Sequence, residues 1–289
     1  MNNVADFDVA IIGAGPSGSV SAALLHQQGF RVCVIERTHF PRFVIGESLL
    51  PYSMDILEEA DLVRVVQAQQ GFQYKNGAAF TWGERYTWFD FTDKFSKGPG
   101  TTFQVQRAVF DKILIDEVER RGVTVRYGQN VTGYEEVEGA SGEHLARLRI
   151  EAPEGAYTLQ TRFVLDASGY GRVLPRLLGL ERPSVLSPRK AIFTHIDDRI
   201  VGDDFDRNKI LISTHPAERG VWSWLIPFGN GRSSIGFIGE PEWINQRAAG
   251  LKAADEGALN EALLRCVVAE IPRLSRILRN AVWDNGVPF

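Results

Sequence analysis

Cysteine is nearly absent: two residues in 289, Cys33 and Cys266, with no CxxC spacing. That excludes a disulfide framework and makes a reducing, cytoplasmic setting the expectation. Histidine is also sparse, and the five present (His26, His39, His144, His195, His215) show no ligand clustering, so no metal is expected. No stretch reaches the roughly 18 consecutive apolar residues of a membrane span. No basic region precedes the first apolar run, so neither an integral membrane segment nor a secretory leader is expected. Positive charge is in deficit as well. A net charge of −4 and a pI near 5.8 argue against nucleic acid and against polybasic membrane contact. Internal repeats and low-complexity tracts are missing too. What is there, 44% hydrophobic and 24% charged residues, is ordinary globular composition. The chain is long enough for one large or two interleaved domains.

The first landmark is near the start. Asp8 to Ile12 is apolar and runs into Gly13-Ala14-Gly15-Pro16-Ser17-Gly18. A helical stretch follows over about 17–28, Gly29 stops it, and a second apolar run, Arg31 to Ile35, ends in Glu36. Strand, glycine turn, helix, strand and acid together form the unit that holds a dinucleotide. Gly13 permits the tight turn, Gly15 lets backbone approach a pyrophosphate, and Gly18 lets helix and strand pack. The helix N-terminus offers free N–H groups to an anion, and Glu36 is placed to accept from ribose hydroxyls. The motif by itself does not choose between FAD and NAD.

Farther along, the pattern predicts an amphipathic helix over 52–62 with Ile56, Leu57 and Ala60 on one face. A turn-rich stretch over 71–77 leads to a hairpin of 79–82 with 86–91. A strand at 103–107 then enters a helix at 108–121, with Val109, Ile113, Leu114 and Val118 at helical spacing. Short strands are expected at 123–127, 131–137, 145–151 and 157–160, then a separate apolar strand, Phe163 to Asp166, and a helix near 174–178. An antiparallel set at 191–196, 209–213, 221–227 and 233–238 follows, and helices at 241–249 and 258–271 close the chain. A parallel βαβ unit interrupted by antiparallel insertions predicts an α/β protein, with a discontinuous nucleotide domain and a second sheet.

Taken together, four stretches resemble the flavin-dependent halogenases within the FAD-dependent monooxygenase fold: the glycine turn ending at Glu36; Phe40-Pro41-Arg42 with Gly46-Glu47-Ser48-Leu49-Leu50-Pro51; Asp166-Ala167-Ser168-Gly169; and Trp222-x-Trp224-x-Ile226-Pro227. The resemblance implies a Rossmann-like FAD domain of the glutathione-reductase type, over 1–74 and 104–182. An inserted antiparallel substrate-side sheet would take 75–103 and 183–280, with 281–289 beginning a return to the FAD domain. The third FAD motif of that fold has no match here, which leads us to expect a missing C-terminal part.

The resemblance also implies roles. Gly13, Ala14, Gly15, Ser17, Gly18, Glu36, Arg37, Ser48, Arg107 and Asp166 would meet FAD. Trp222 and Trp224, on one face of a strand by alternation, would form with Ile226 and Pro227 a wall on the substrate side. Lys75 would be catalytic, either as an ammonium donating to hypohalous acid or as an amine carrying the halogen. An ordinary lysine has a pKa of about 10.4, so the amine route would need burial. The expected activity is halogenation of an electron-rich aromatic or pyrrolic substrate, free or tethered to a carrier protein. It would use halide, O2 and FADH2 from a separate flavin reductase. A flavin monooxygenase or oxidoreductase tailoring a polyketide or polyene pigment without halogen, and a non-catalytic flavin-binding protein, are the alternatives.

Overall fold

The structure, a computed structural model, describes residues 4–202 and 205–286. It divides into two compact units: one of residues 1–44, 55–69 and 107–183, the other of 45–54, 70–106 and 184–289.

In the first unit a six-stranded sheet runs, edge to edge, Thr124–Tyr127, Val32–Glu36, Phe7–Ile12, Gly155–Asp166, His144–Ala152, Asn130–Glu138. The first four of these are mutually parallel and the last two antiparallel. Val32 to Glu36 is buried at every position, as a central parallel strand with both faces covered must be. Helix Pro16–Gln27 packs on it and against helix Arg107–Arg120. Ala10, Ile12, Cys33, Ile35, Leu148, Ile150 and Leu159 make the core of one face. Burial pushes the Cys33 thiol up to about 11, so this cysteine is filler for that core.

The expected strands 157–160 and 163–166 are one strand, Gly155–Asp166. Its first half pairs antiparallel with His144–Ala152 and its second half parallel with Phe7–Ile12. Thr161 and Arg162 look like a break in sequence but only mark the change of partner. The helix expected over 52–62 stops at Glu59, where Asp61 takes φ 54°, and a second helix spans Val63–Gln67. Ile56 and Val109, placed on buried faces by spacing, are exposed. Phe110, Asp111, Leu114, Ile115 and Val118 are the residues their helix buries.

In the second unit a six-stranded sheet runs Lys190–Asp197, Arg232–Gly239, Trp222–Pro227, Lys209–Thr214, Gly77–Trp82, Arg85–Asp90. All neighbours are antiparallel except Lys209–Thr214 with Gly77–Trp82, which is parallel. Alternation sorts its side chains. Ile192, Ile196, Leu211, Leu225, Ile235 and Phe237 face Leu263, Leu264, Val267, Leu274 and Ile277 of the closing helices. Fully burying each such side chain contributes about 1.5–3 kcal/mol. The opposite face carries Trp222, Trp224 and Ile226, packed with Phe193, Ile210, Ile212 and Ile45.

A small sheet completes this unit. Gln73–Lys75, in a stretch expected to be turn, pairs antiparallel with Thr102–Gln104. Glu47 to Leu49 runs along the other side of that strand: Leu49 N–H donates to the Phe103 carbonyl and Val105 N–H to the Glu47 carbonyl. These backbone bonds put 45–54 in the second unit, where the sequence reading placed all of 1–74 in the nucleotide domain. Residues 281–286 differ as well. Val282 bridges Asp197 and Trp283 packs on the helix-side core, so they continue the second unit and do not start a return to the first. Residues 287–289 lie outside the described residues. Among the described residues no helix is long and apolar enough to cross a membrane.

Candidate functional site

The glycine turn is built by contacts that admit no side chain at two of its three glycines. Gly13 adopts φ +100°, and a Cβ there would lie 2.6 Å from the Ala167 carbonyl oxygen. A Cβ on Gly18 would lie 1.9 Å from the Gly13 oxygen, so the helix sits directly on the turn. Gly15 is different. Its φ is −73°, open to any residue, and an added Cβ would come no nearer than 3.5 Å to its closest neighbour, Arg42 Nη2. Neither backbone nor packing requires glycine at this position. The room it leaves, beside a guanidinium and at the start of a helix, is what an approaching pyrophosphate needs.

Glu36 closes this cradle from inside. One carboxylate oxygen accepts from Ala14 N–H at 2.9 Å, and the other from the Thr38 N–H and hydroxyl at 2.9 and 2.8 Å. Arg42 lies 3.7 Å from Glu36 and 3.6 Å from Asp111. Arg107 grips the fully buried Asp111 through two bonds, 2.6 and 3.0 Å. Asp166 accepts from Ser168 and Leu174 N–H groups, fixing the turn into helix Val173–Leu177. Ser17, at the helix start, and Arg37 are exposed. The first unit thus brings together Gly13, Ala14, Gly15, Ser17, Gly18, Glu36 and Asp166, with Arg107 joined through Asp111 and Arg42. Ser48 belongs to the other unit.

Lys75 is 2% exposed. Its Nζ donates to the Leu49 carbonyl at 2.6 Å and lies 5.2 Å from the centre of the Phe91 ring. Burial draws its pKa down to about 8, because desolvation penalises the ammonium and no carboxylate compensates. A lysine near neutrality between its two forms can give or take a proton at physiological pH.

Trp222 and Trp224 do share a face, with ring centres 6.2 Å apart, and Trp224 Nε1 donates to Ser234 Oγ at 3.1 Å. The wall depends on a residue the sequence did not single out. Gly236 is the cross-strand partner of Trp224, and a Cβ there would sit 2.4 Å from the indole ring and 2.5 Å from Phe193. The other omissions are Arg42, Asp111 and His195, which pairs with Glu47 at 2.7 Å, both of them buried, and lies edge-on to Phe228. No local pattern marks these residues. The exception is Arg42, which stands in Phe40-Pro41-Arg42.

The profile of the FAD binding domain family matches residues 6–276. Tryptophan 2-halogenase of Chondromyces crocatus is 29% identical over 83% of this chain and 45% of its own length. The 1H-pyrrole-2-carbonyl-[peptidyl-carrier protein] chlorinase of Pseudomonas fluorescens is 27% identical over 81% of this chain and 56% of its own. Among solved structures, a flavoprotein/dehydrogenase from Cytophaga hutchinsonii superposes with a TM-score of 0.83 at 41% identity, covering 95% of this chain and 64% of that one. The chain spans about half the length of the curated relatives it matches.

Proposed function

Because the chain belongs to the FAD-binding domain family, we propose that it acts as a flavin-dependent halogenase on an electron-rich aromatic or pyrrolic substrate. Lys75 carries this reading: a buried ammonium with its pKa near 8, held by a carbonyl and an aromatic face. The residues fit the cofactor. The space at Gly15, the exposed helix start at Ser17 and the Arg42 guanidinium suit the pyrophosphate, and Glu36 suits the ribose. Arg37, Arg107 and Asp166 complete the set that the first unit offers to FAD; Ser48, in the second unit, is not among them. The first unit would hold the cofactor and the second the substrate. When bound and reduced by a separate flavin reductase, FAD supplies with O2 the oxidising equivalents that turn halide into hypohalous acid.

Lys75 does the rest of the chemistry. Its ammonium donates a hydrogen bond to the oxygen of hypohalous acid and draws electron density from the halogen. As the ring attacks, the O–X bond breaks and a C–X bond forms. The ammonium proton passes to the departing oxygen, giving water. The proton then lost from the ring carbon restores the ammonium, so the ring carbon is oxidised and the halogen reduced with no net change in Lys75. Trp222, Trp224 and Ile226 supply an apolar wall for an aromatic substrate, and alternation turns Pro227 away from it. The chlorinase similarity supports a carrier-tethered pyrrole as one substrate form. Two free cysteines, one of them buried, suit a cytoplasmic setting.

The test supplies reduced FAD, O2 and bromide to the chain and to Lys75→Ala with phenolic and pyrrolic acceptors. A bromine mass shift, lost in the variant, supports the reading. Oxygen insertion without bromine, or direct reduction of bound FAD by NADPH, overturns it.

A further inference from the structure

Three strands meet around Lys75, and their register puts five polar side chains on one face. Lys75 is the cross-strand partner of Thr102, and Gln73 of Gln104. Ser48 bridges Gln104 from the other side. Directly opposed side chains point the same way with Cβ atoms about 5 Å apart, and Thr102 and Gln104, two residues apart, share that face. Lys75 reaches across the middle strand to the Leu49 carbonyl, which carries its ammonium over Thr102 towards Ser48. Three oxygens on this face are buried with no hydrogen-bond partner: Ser48 Oγ, Thr102 Oγ1 and Gln104 Oε1. Gln104 Nε2 is committed to the Arg207 carbonyl at 3.1 Å, which leaves its carbonyl oxygen as the free end of the amide. Leaving a buried polar group unpaired is costly, so three on one face beside a buried ammonium call for an occupant.

We propose that Lys75, Ser48, Thr102 and Gln104 form one receptor for a small, neutral hydroxylic molecule. Water occupies it at rest, and hypohalous acid displaces the water during turnover. The two hydroxyls donate or accept, the Gln104 carbonyl accepts the O–H, and Lys75 donates to the same oxygen. A molecule of that size has only these few contacts to hold it. This assignment rests on the halogenase reading of Lys75 and adds Thr102 and Gln104 as the groups that retain the oxidant until substrate takes the halogen.

Two variants test it. Thr102→Val keeps the shape and removes the hydroxyl, and Thr102→Ser keeps the hydroxyl. With bromide, Thr102→Val should lose about tenfold in substrate bromination, the worth of one hydrogen bond to a polar ligand. Flavin oxidation should stay at the wild-type rate, and free hypobromite caught by a soluble scavenger should rise to match. Thr102→Ser should restore coupling. A high-resolution crystal structure of the flavin-free chain should show a water within hydrogen-bond reach of Lys75 Nζ and at least two of the three oxygens. Coupled bromination by Thr102→Val within twofold of wild type overturns the proposal, as does a dry cluster whose oxygens bond one another. Bromination that survives Lys75→Ala would overturn the halogenase reading of Lys75 itself, a different result from either.

Discussion

The two units place their polar groups in opposite ways. Around the glycine turn, the carboxylates Glu36, Asp111 and Asp166 all have donors from within the chain. What is left there is room for one methyl group at Gly15, beside the Arg42 guanidinium. Around Lys75 what is left open is hydrogen-bonding capacity, on Ser48, Thr102, Gln104 and one oxygen of Glu47. A site that must hold a large cofactor needs a preset backbone shape and a charge to match it. A site that must hold a reactive species of a few atoms needs unsatisfied groups at fixed positions. The same chain supplies both, by fixed backbone geometry in one place and buried polarity in the other.

The comparison breaks most easily at Gly18. Gly18→Ala puts a methyl group on the Gly13 carbonyl, and backbone cannot yield as a side chain can. Thermal unfolding should show a loss of about 3 kcal/mol or more, at the upper end for overpacking. A variant as stable as wild type would mean the helix is not seated on the turn.

Lys75→Met should move stability the other way. The folded pKa near 8 lies below the ordinary value of 10.5, so wild type bears the cost of a buried charge in full below pH 8. That cost fades as pH rises from about 8 to about 10.5, where the unfolded lysine still holds its proton and the folded one does not. The variant should therefore be more stable at pH 7 by on the order of 3 kcal/mol. The gain should shrink to nothing by about pH 10.5, as read from paired denaturant titrations. A variant less stable at pH 7 would mean the ammonium is better solvated than its burial implies.

Smaller effects separate wall and cradle from scaffold. Gly236→Ala crowds Trp224 and Phe193 and should cost about 1–3 kcal/mol, with a changed near-ultraviolet tryptophan circular dichroism. An unchanged signal would contradict the packing described for the wall. Gly15→Ala should leave stability within about 0.5 kcal/mol, as for substitutions away from packed features, yet weaken FAD binding at least about tenfold. Equal FAD affinity in that variant would mean that no cofactor group approaches the backbone at Gly15.

The sequence made the cradle legible because its requirements are local. Gly13 must take a positive φ, Gly18 sits against the Gly13 carbonyl five residues earlier, and strand, helix and acid follow within one βαβ unit. The alternating strands of the second sheet were legible for a similar reason, since each buries one face in a core. The setting of Lys75 was not legible. It is assembled from 47–49, 73–75 and 102–105, segments far apart in sequence that backbone pairing brings together, and a lysine among turn residues carries no mark of burial. Gly236 was hidden in the same way, because its partner Trp224 is twelve residues earlier across a hairpin. The long strand Gly155–Asp166 was misread as two because a change of neighbour, from antiparallel to parallel, leaves no trace in composition.

The central claim is that Lys75 is a buried ammonium poised between its two protonation states. Side-chain NMR of isotope-labelled lysine, titrated from pH 6 to pH 11 and assigned with Lys75→Met, measures this directly. The account predicts one lysine with a midpoint near 8, well apart from the rest; a Lys75 midpoint above about 10, the ordinary lysine range, would contradict it.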